Sequence, residues 1–412
     1  MAKDEIIKYR FARELVEWTK TGELPKSADQ DIRYFLELQG ERLKERGLQM
    51  EYILESNEKT ESYSGNFHSR TSMKSRKYEC VMDHRRYKKT LQFYRNGKRK
   101  FSKKMPVILY ASNIWLKGEN VTGAETYCCP SCGAISTVME LQQGCPYCQS
   151  KFFMSDLFPK VTGFFFLKDA VSPQNIEVRA KTVTLFSAVI VAACSVVANF
   201  GGAILGLIYG AVMGAVVGAF LGYLLYSIKL LGVVIKAAAA SLPAVFGKAR
   251  TENELIKVFG GFDPSFSYDY FVNQVVSALK IIIFAKDRTN LVVYEGQEQH
   301  PEFDNIIEAT YGGDIRLKAY QVQNGYATIW LDVHMMDVYD AGSRIYQKKN
   351  VFCVTLVKNV MRMEELGFSI KMVQCKKCGS SFDATKERHC PFCNQVYDMK
   401  EDAWTVMDVR LR

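Results

Sequence analysis

Hydrophobic and polar positions are unevenly spread along this chain. The largest departure is a block from Thr182 to Ile228, 47 residues without a charged side chain, bounded by Lys181 and Lys229. One helical crossing of a bilayer takes ~20 apolar residues. The block therefore predicts two crossings: a helix over about 182–198, a turn at Asn199-Phe200-Gly201, and a helix over about 203–226. Along the second of these, Gly202, Gly206, Gly210, Gly214, Gly218 and Gly222 recur every four residues. On a helix that spacing leaves one stripe free of side chains, which lets another helix approach closely. The stripe suits packing against the first helix or against a second copy of the chain, which would make a homo-oligomer. Residues 230–247, apolar apart from Lys236, extend the helix or lie at the membrane interface.

Before the block, apolar residues in 1–47 recur at a spacing near 3.6, which predicts helices broken around Pro25. Runs at 48–59, 77–95, 99–112 and 161–167 read as strands, with a hairpin turn at Asn96-Gly97 and a polar loop over 60–75. After the block, the segment from Pro264 to Asp287 predicts a helix capped by Asp263 or Ser265. Strands follow at 314–323, 326–339, 344–358 and 404–411, with turns at Asn324-Gly325 and Ala341-Gly342. The expected organisation is N-terminal helices over 1–47, a first α+β half over 48–168, a transmembrane helical hairpin over 182–228, and a second α+β domain over 246–412.

The two α+β halves read as a diverged internal repeat. Gly97, Arg99, Phe101, Lys103 and Lys104 match Gly342, Arg344, Tyr346, Lys348 and Lys349 in order and spacing. The next ribbon cysteine lies 25 residues beyond Lys104 in one half and 26 beyond Lys349 in the other.

Each half then carries two Cys-x-x-Cys pairs. Cys129, Cys132, Cys145 and Cys148 lie in a ribbon over 127–150; Cys375, Cys378, Cys390 and Cys393 lie in one over 374–396. Zinc takes four thiolates in a tetrahedron, and paired Cys-x-x-Cys turns supply them two at a time. Two structural zinc ions per chain are expected. Four thiolates leave no open position for catalysis. Redox-active pairs are the rival reading, but no β-α-β context surrounds them. Cys128 and His389 adjoin ligands; Cys80, Cys194 and Cys353 are left over. Thiolate sites imply a reducing compartment.

Charge sharpens this picture. Of the net +10, a surplus of +12 sits between Arg70 and Lys104. Arg85, Arg86, Lys88, Lys89, Lys98, Arg99, Lys100, Lys103 and Lys104 alternate there with aromatics. A solvated sheet face, anionic lipid headgroups, or single-stranded nucleic acid each suit such a segment. Lysines and arginines flank the apolar block on both sides, which places both soluble halves in the cytoplasm and the hairpin in the cell membrane. The N-terminal MAKDEIIKYR has no apolar region of the kind a signal peptide needs.

The second half resembles the C-terminal domain of the mitochondrial import-motor membrane anchor and its bacterial relatives, the Tim-forty-four-like domain. The residues that carry the resemblance are Phe262-Asp263-Pro264-Ser265-Phe266, the three strands after them, the ribbon, and Trp404-Thr405-Val406-Met407-Asp408-Val409. The resemblance implies a cone-like curved antiparallel sheet on helices, of the nuclear-transport-factor-two-like superfamily. It also implies membrane-associated binding and scaffolding linked to protein transport, without fixing the protein partner. Two such domains, each with a zinc ribbon, are expected around the hairpin. The alternatives are an enzyme using the cone pocket, for which Asp332, His334 and Asp337 are the candidate groups, and a membrane-anchored nucleic-acid binder. Fold alone argues for no activity, so a binding protein is the leading expectation.

Overall fold

In the computed structural model, α1 (Lys3–Thr21) and α2 (Gln30–Glu45) form the N-terminal helices. The structure describes residues 3–56, 78–116, 126–129, 131–132, 134–151, 160–168, 173–198, 204–260, 266–361, 372–383, 386–401 and 403–412. The expected loop over 60–75, the turn at Asn199-Phe200-Gly201, Gly202 and the entry Phe262 to Ser265 lie outside them. Helix α1 buries Phe11, Leu15 and Trp18, one apolar residue per turn. Helix α2 starts where the Asp29 carboxylate accepts from the Ile32 amide at 3.1 Å, meeting one of the unpaired donors of the first turn.

Strands β1 (Leu48–Ser56), β2 (Tyr78–Arg95) and β3 (Lys98–Leu116) form an antiparallel sheet, joined by β6 (Lys160–Lys168) in the order β1-β2-β3-β6. The β2–β3 turn pairs Arg95 with Lys98. Asn96 and Gly97 have φ of 51° and 70°, the left-handed conformation that a tight hairpin turn requires. Between β3 and β6 lies the first ribbon, with β4 (Thr126–Cys128), β5 (Ile135–Thr137) and α3 (Val138–Gln143).

The second half repeats this order. Helix α6 (Tyr268–Phe284) precedes β7 (Ile306–Gln323), β8 (Tyr326–Asp340) and β9 (Ile345–Asn359). The second ribbon holds β10 (Met372–Gln374) and β11 (Ser381–Asp383), and β12 (Thr405–Leu411) closes the sheet in the order β7-β8-β9-β12. Helix α6 is capped by Ser267, whose hydroxyl accepts from the Tyr270 amide at 3.4 Å. The helix therefore begins later than the expected caps Asp263 and Ser265. Trp404 packs edge-on against Phe259 and Phe271, with ring centroids 5.2 and 5.6 Å away.

The fold is α+β with two four-stranded antiparallel sheets. The halves do not stand apart, however. Residues 1–168 and 247–412 form one compact unit with a continuous core. Helix α2 packs on α6, and the Phe165 ring of β6 meets Tyr311 of β7 edge-on at 5.0 Å. Arg42 is buried and donates to the Phe303 and Ile306 carbonyls at 2.8 and 2.9 Å. Arg95 and Arg46 reach the Asp340 carboxylate at 2.6 and 3.3 Å. Two sheets that each leave an apolar face uncovered bury both by sharing one interior.

Residues 169–246 form a second unit. It contains α4 (Pro173–Ala198) and most of α5 (Ile204–Phe259). Helix α5 runs 56 residues, well past the expected end near 226 and through the expected domain start at 246. Four alanines at 237–240 favour this continuation, which also passes through Gly232, Pro243 and Gly247. Among the described residues one stretch, Gly206–Ile228, is long and apolar enough to cross a membrane; Lys181–Val196 is a shorter apolar stretch. A Cβ at Gly218 would lie 2.6 Å from the Ser187 carbonyl oxygen and 3.0 Å from the Ala188 Cα. Gly214 and Gly222 face Ser195 and Ser187 as closely. Three of the stripe's glycines thus bring α5 onto α4 of the same chain. Gly206 has open space beside it, and Gly210 lies between them on α5.

Replacing Arg42 with Leu should destabilise the two-sheet unit by about 2–4 kcal/mol, because buried carbonyls lose their donor. Thermal or denaturant unfolding of the full chain measures this. A loss below about 0.5 kcal/mol, the scale of an ordinary surface change, would mean Arg42 does not tie the halves together.

Candidate metal centres and a buried polar seam

Among the described residues, three of the four Cys-x-x-Cys turns are built by the same pair of backbone bonds. The Cys145 amide donates to the Ser150 carbonyl at 2.9 Å, and the Gln149 amide to the Cys145 carbonyl at 2.8 Å. Matching bonds join Cys375 to Ser380, Gly379 to Cys375, Cys390 to Gln395 and Asn394 to Cys390. The residue after the second cysteine turns left-handed, with φ of 61° at Gln149, 74° at Gly379 and 58° at Asn394. Glycine serves this need at one of the three; Gln149 and Asn394 adopt it as well. Gly133 lies outside the described residues.

These turns aim four sulfurs inward in each ribbon, all within 4.8 Å of one another. Cys129 and Cys148 are 3.6 Å apart, Cys132 and Cys145 3.7 Å, Cys375 and Cys393 3.5 Å, and Cys378 and Cys390 3.6 Å. Thiolates bound to one zinc at ~2.3 Å sit about 3.8 Å apart in a tetrahedron. The spacing fits that ion, and all eight cysteines are free thiols. The two sets can hold two metal ions, and zinc matches their donor chemistry. His389 belongs to neither set. The Thr137 hydroxyl and Glu140 carboxylate cap α3 reciprocally between the first ribbon's two turns. Strand β10 of the second ribbon lies beside β5 of the first, so the ribbons meet, which the sequence reading did not anticipate.

The basic segment does not form one surface. Lys98, Arg99 and Lys100 stand exposed at the β2–β3 tip. Lys88 and Lys104 flank Glu55 at 3.9 and 3.7 Å. Arg85 and Arg86 are half-buried, the Arg85 guanidinium lying 5.4 Å over the Tyr87 ring. Lys103 donates to Gln347 of the other half. Lys89 contradicts the expectation of a surface site, being only 4 % exposed. Strand parity explains this: Tyr87, Lys89, Leu91 and Phe93 share the inward face.

Inside, the Lys89 ammonium lies 3.8 Å from the Phe166 ring and 4.1 Å from the Tyr52 ring. Lys280 of α6, also buried, lies 4.6 and 4.7 Å from the Phe35 and Phe164 rings. An ammonium over a ring face gains from the ring quadrupole. Glu308 of β7 is the buried acid between them. Its carboxylate accepts from Gln39 at 2.5 Å, from Thr310 at 3.1 Å and from the Tyr52 hydroxyl. Gln39, Tyr52 and Lys89 belong to the first half; Lys280 and Glu308 belong to the second. The space they enclose holds no more than one water. Sequence reasoning missed this seam. The signals were Lys89 in register with apolar neighbours and Lys280 inside the run SALKIIIF.

The fold and its thiol sets define an α+β chain with two four-cysteine metal modules and one helix apt to cross a membrane. No protein family, curated protein or solved structure matches this chain.

Elemental analysis of reduced, purified protein should find about two zinc ions per chain. Cys390→Ser should lower that to about one and open the segment around 374–396 to protease, since the binding energy of a structural site is folding energy. Full zinc content in the variant would exclude Cys390 as a ligand.

Proposed function

We propose that this chain is a membrane-anchored zinc-ribbon protein that binds and scaffolds, with the apolar helices as its anchor. The observation that carries the reading is the surface of Gly206–Ile228. Its mean hydropathy is 1.9, and Ile208, Val212, Val216, Phe220 and Leu224 all point outward uncovered. A water-exposed stripe of that length is a liability in a soluble protein and a fit to hydrocarbon. With α4 as a second crossing, both soluble segments lie on one side. The lysines and arginines flanking the apolar block make that side the cytoplasm, where thiolate sites stay reduced.

A role in binding is supported by where the candidate catalytic groups go. Asp332 pairs with Lys318 at 2.9 Å, His334 faces Asp314 at 3.6 Å, and Asp337 accepts from Asn350 at 2.5 Å. Three separate partners make no shared reaction centre. The resemblance of the second half to the import-motor membrane anchor points the same way, towards scaffolding at a membrane and protein transport. Lys98, Arg99 and Lys100 offer a cationic tip, and the first half ends its apolar run at Leu167, 15 residues before Thr182. Anionic lipid headgroups attract such basic clusters at short range.

Cysteine-accessibility labelling in intact membranes should place residues near 56 and near 300 on the same side. Opposite sides would overturn the two-crossing anchor. Reconstituted full-length protein should bind added anionic vesicles but not neutral ones, with release as salt rises. Replacing Lys98, Arg99 and Lys100 with Ser should remove about 1 kcal/mol for each charge near the surface. Equal binding to both vesicle types would refute the lipid role, and salt-sensitive capture of single-stranded nucleic acid instead would transfer the tip to that ligand.

A further inference from the structure

Of the four outer strands of the two sheets, three are met along their free side by another segment. On β1 the Tyr52 amide donates to the Thr19 hydroxyl at 3.2 Å. On β6 the Val161 amide donates to the Ser27 carbonyl, and the Val161 carbonyl accepts from the Asp29 amide, both at 2.9 Å. On β12 the Val406 amide donates to the Val293 carbonyl at 2.9 Å, and the Val406 carbonyl accepts from the Glu295 amide at 2.8 Å. Strand β7 is the fourth. Its first part lies beside β6, but every residue from Lys318 to Gln323 is exposed. Among the described residues no segment bonds to the outer side of 319–323. Such an edge offers unpaired amides and carbonyls to another chain.

The same end of β7 carries the core face past its cover. Tyr320 pairs with Ile329 and Val322 with Ala327, and paired residues share a face of the sheet. Ile329 and Ala327 are buried, yet Tyr320 and Val322 are 54 and 49 % exposed. The opposite face carries Ala319, Gln321 and Gln323, where the Gln321 amide donates to the Gln323 side chain at 2.8 Å. No charged residue falls within 319–323. The nearest, Lys318, is engaged by Asp332 at 2.9 Å. The last irregularity of the strand lies between Leu317 and Ala319, so 319–323 pairs with β8 in unbroken register.

We propose that Ala319–Gln323 is the docking edge for a second copy of this chain, the two strands pairing antiparallel about a two-fold axis at Gln321.

The composition of the edge selects that partner and that centre. A two-fold axis through the sheet keeps each face on its own side, so the axis must pass through a residue. Centred on Gln321, Tyr320 meets the partner's Val322, and Val322 meets the partner's Tyr320. An aromatic opposite a β-branched residue is a favourable cross-strand pair, and the four side chains cover one another on the core side. On the other face Gln321 meets the partner's Gln321, and Ala319 meets the partner's Gln323. A centre at Tyr320 would set Lys318 against the partner's Val322. A centre at Val322 would set Tyr320 against the partner's turn residue Asn324. The contact is isologous, so it closes as a dimer and leaves no second free edge to propagate. It uses neither the apolar helices nor the thiol sets, and so stands apart from the anchor.

Sedimentation of the full-length, zinc-loaded protein in detergent, across a dilution series, should show a reversible monomer–dimer equilibrium. Replacing Tyr320 and Val322 together with Lys sets like charges opposite each other in the pair. That double variant should dimerise at least about 10-fold more weakly, with zinc content and unfolding midpoint unchanged. Equal dimerisation of parent and variant would overturn the proposal, because a dimer held elsewhere, along the helices for example, would survive the change. A parent that stays monomeric would also overturn it, including one whose edge is taken only by an added extended apolar peptide. Should the double variant not fold, oxidative crosslinking decides, with the parent's own thiols as background. Gln321→Cys should crosslink to itself, whereas Ala319→Cys should crosslink only when mixed with Gln323→Cys chains. Failure of Gln321→Cys to exceed the parent, or self-crosslinking of Ala319→Cys to the same extent, would refute the paired edge.

Discussion

Burial of backbone carbonyls at the entrance to β7 is the constraint on which the soluble unit turns. The chain at Phe303 and Ile306 is inside the protein, where water cannot serve its oxygens, and the donor that reaches them is Arg42 from the other half. A buried acceptor without a donor costs more than an ordinary hydrogen bond contributes. The second sheet therefore cannot close without α2, nor can α2 hide its guanidinium without the second sheet. The shared aromatic interior, with Phe35 and Phe164 of one half around Lys280 of the other, follows from that closure.

Much of this was legible in the sequence. The hairpin turns at Asn96-Gly97, Asn324-Gly325 and Ala341-Gly342 were legible because they impose their own backbone geometry, whereas β7 begins at Ile306, eight residues before the expected start, and β3 runs on to Leu116. The eight thiols were legible because a metal site is a local spacing rule. What was hidden depended on distant residues. Lys89 looked like one more cation in a basic run, and only the sheet it joins decides that its parity faces inward. The continuity of the halves was hidden for the same reason: 78 residues separate them, and periodicity says nothing about which apolar faces meet across such a gap. The cap of α6 was misplaced because Asp263, Ser265 and Ser267 all suit a helix start, and tertiary packing chose the last.

The two ribbons have a different logic from the seam. Each is organised around four inward thiols and inserted between β3 and β6 or between β9 and β12, and the second also lends Phe382 and Met399 to the shared core. Their contact through β5 and β10 joins the two insertions, so that the unit is tied at its sheets, its helices and its metal modules.

The order of elements also sets a schedule for synthesis. Residues 1–168 complete their interior only with residues that leave the ribosome after the whole of 169–246. At about 5–20 residues per second, the stretch from 169 to 412 takes roughly 10–50 s to make. Until α6 and β7 are made, the first half presents Phe35, Phe164 and Phe165 without their partners Lys280 and Tyr311, while the apolar helices must find their own environment. A nascent chain of this design asks for shelter twice, once for the helices and once for an unfinished sheet, and the second request ends only when β12 is released.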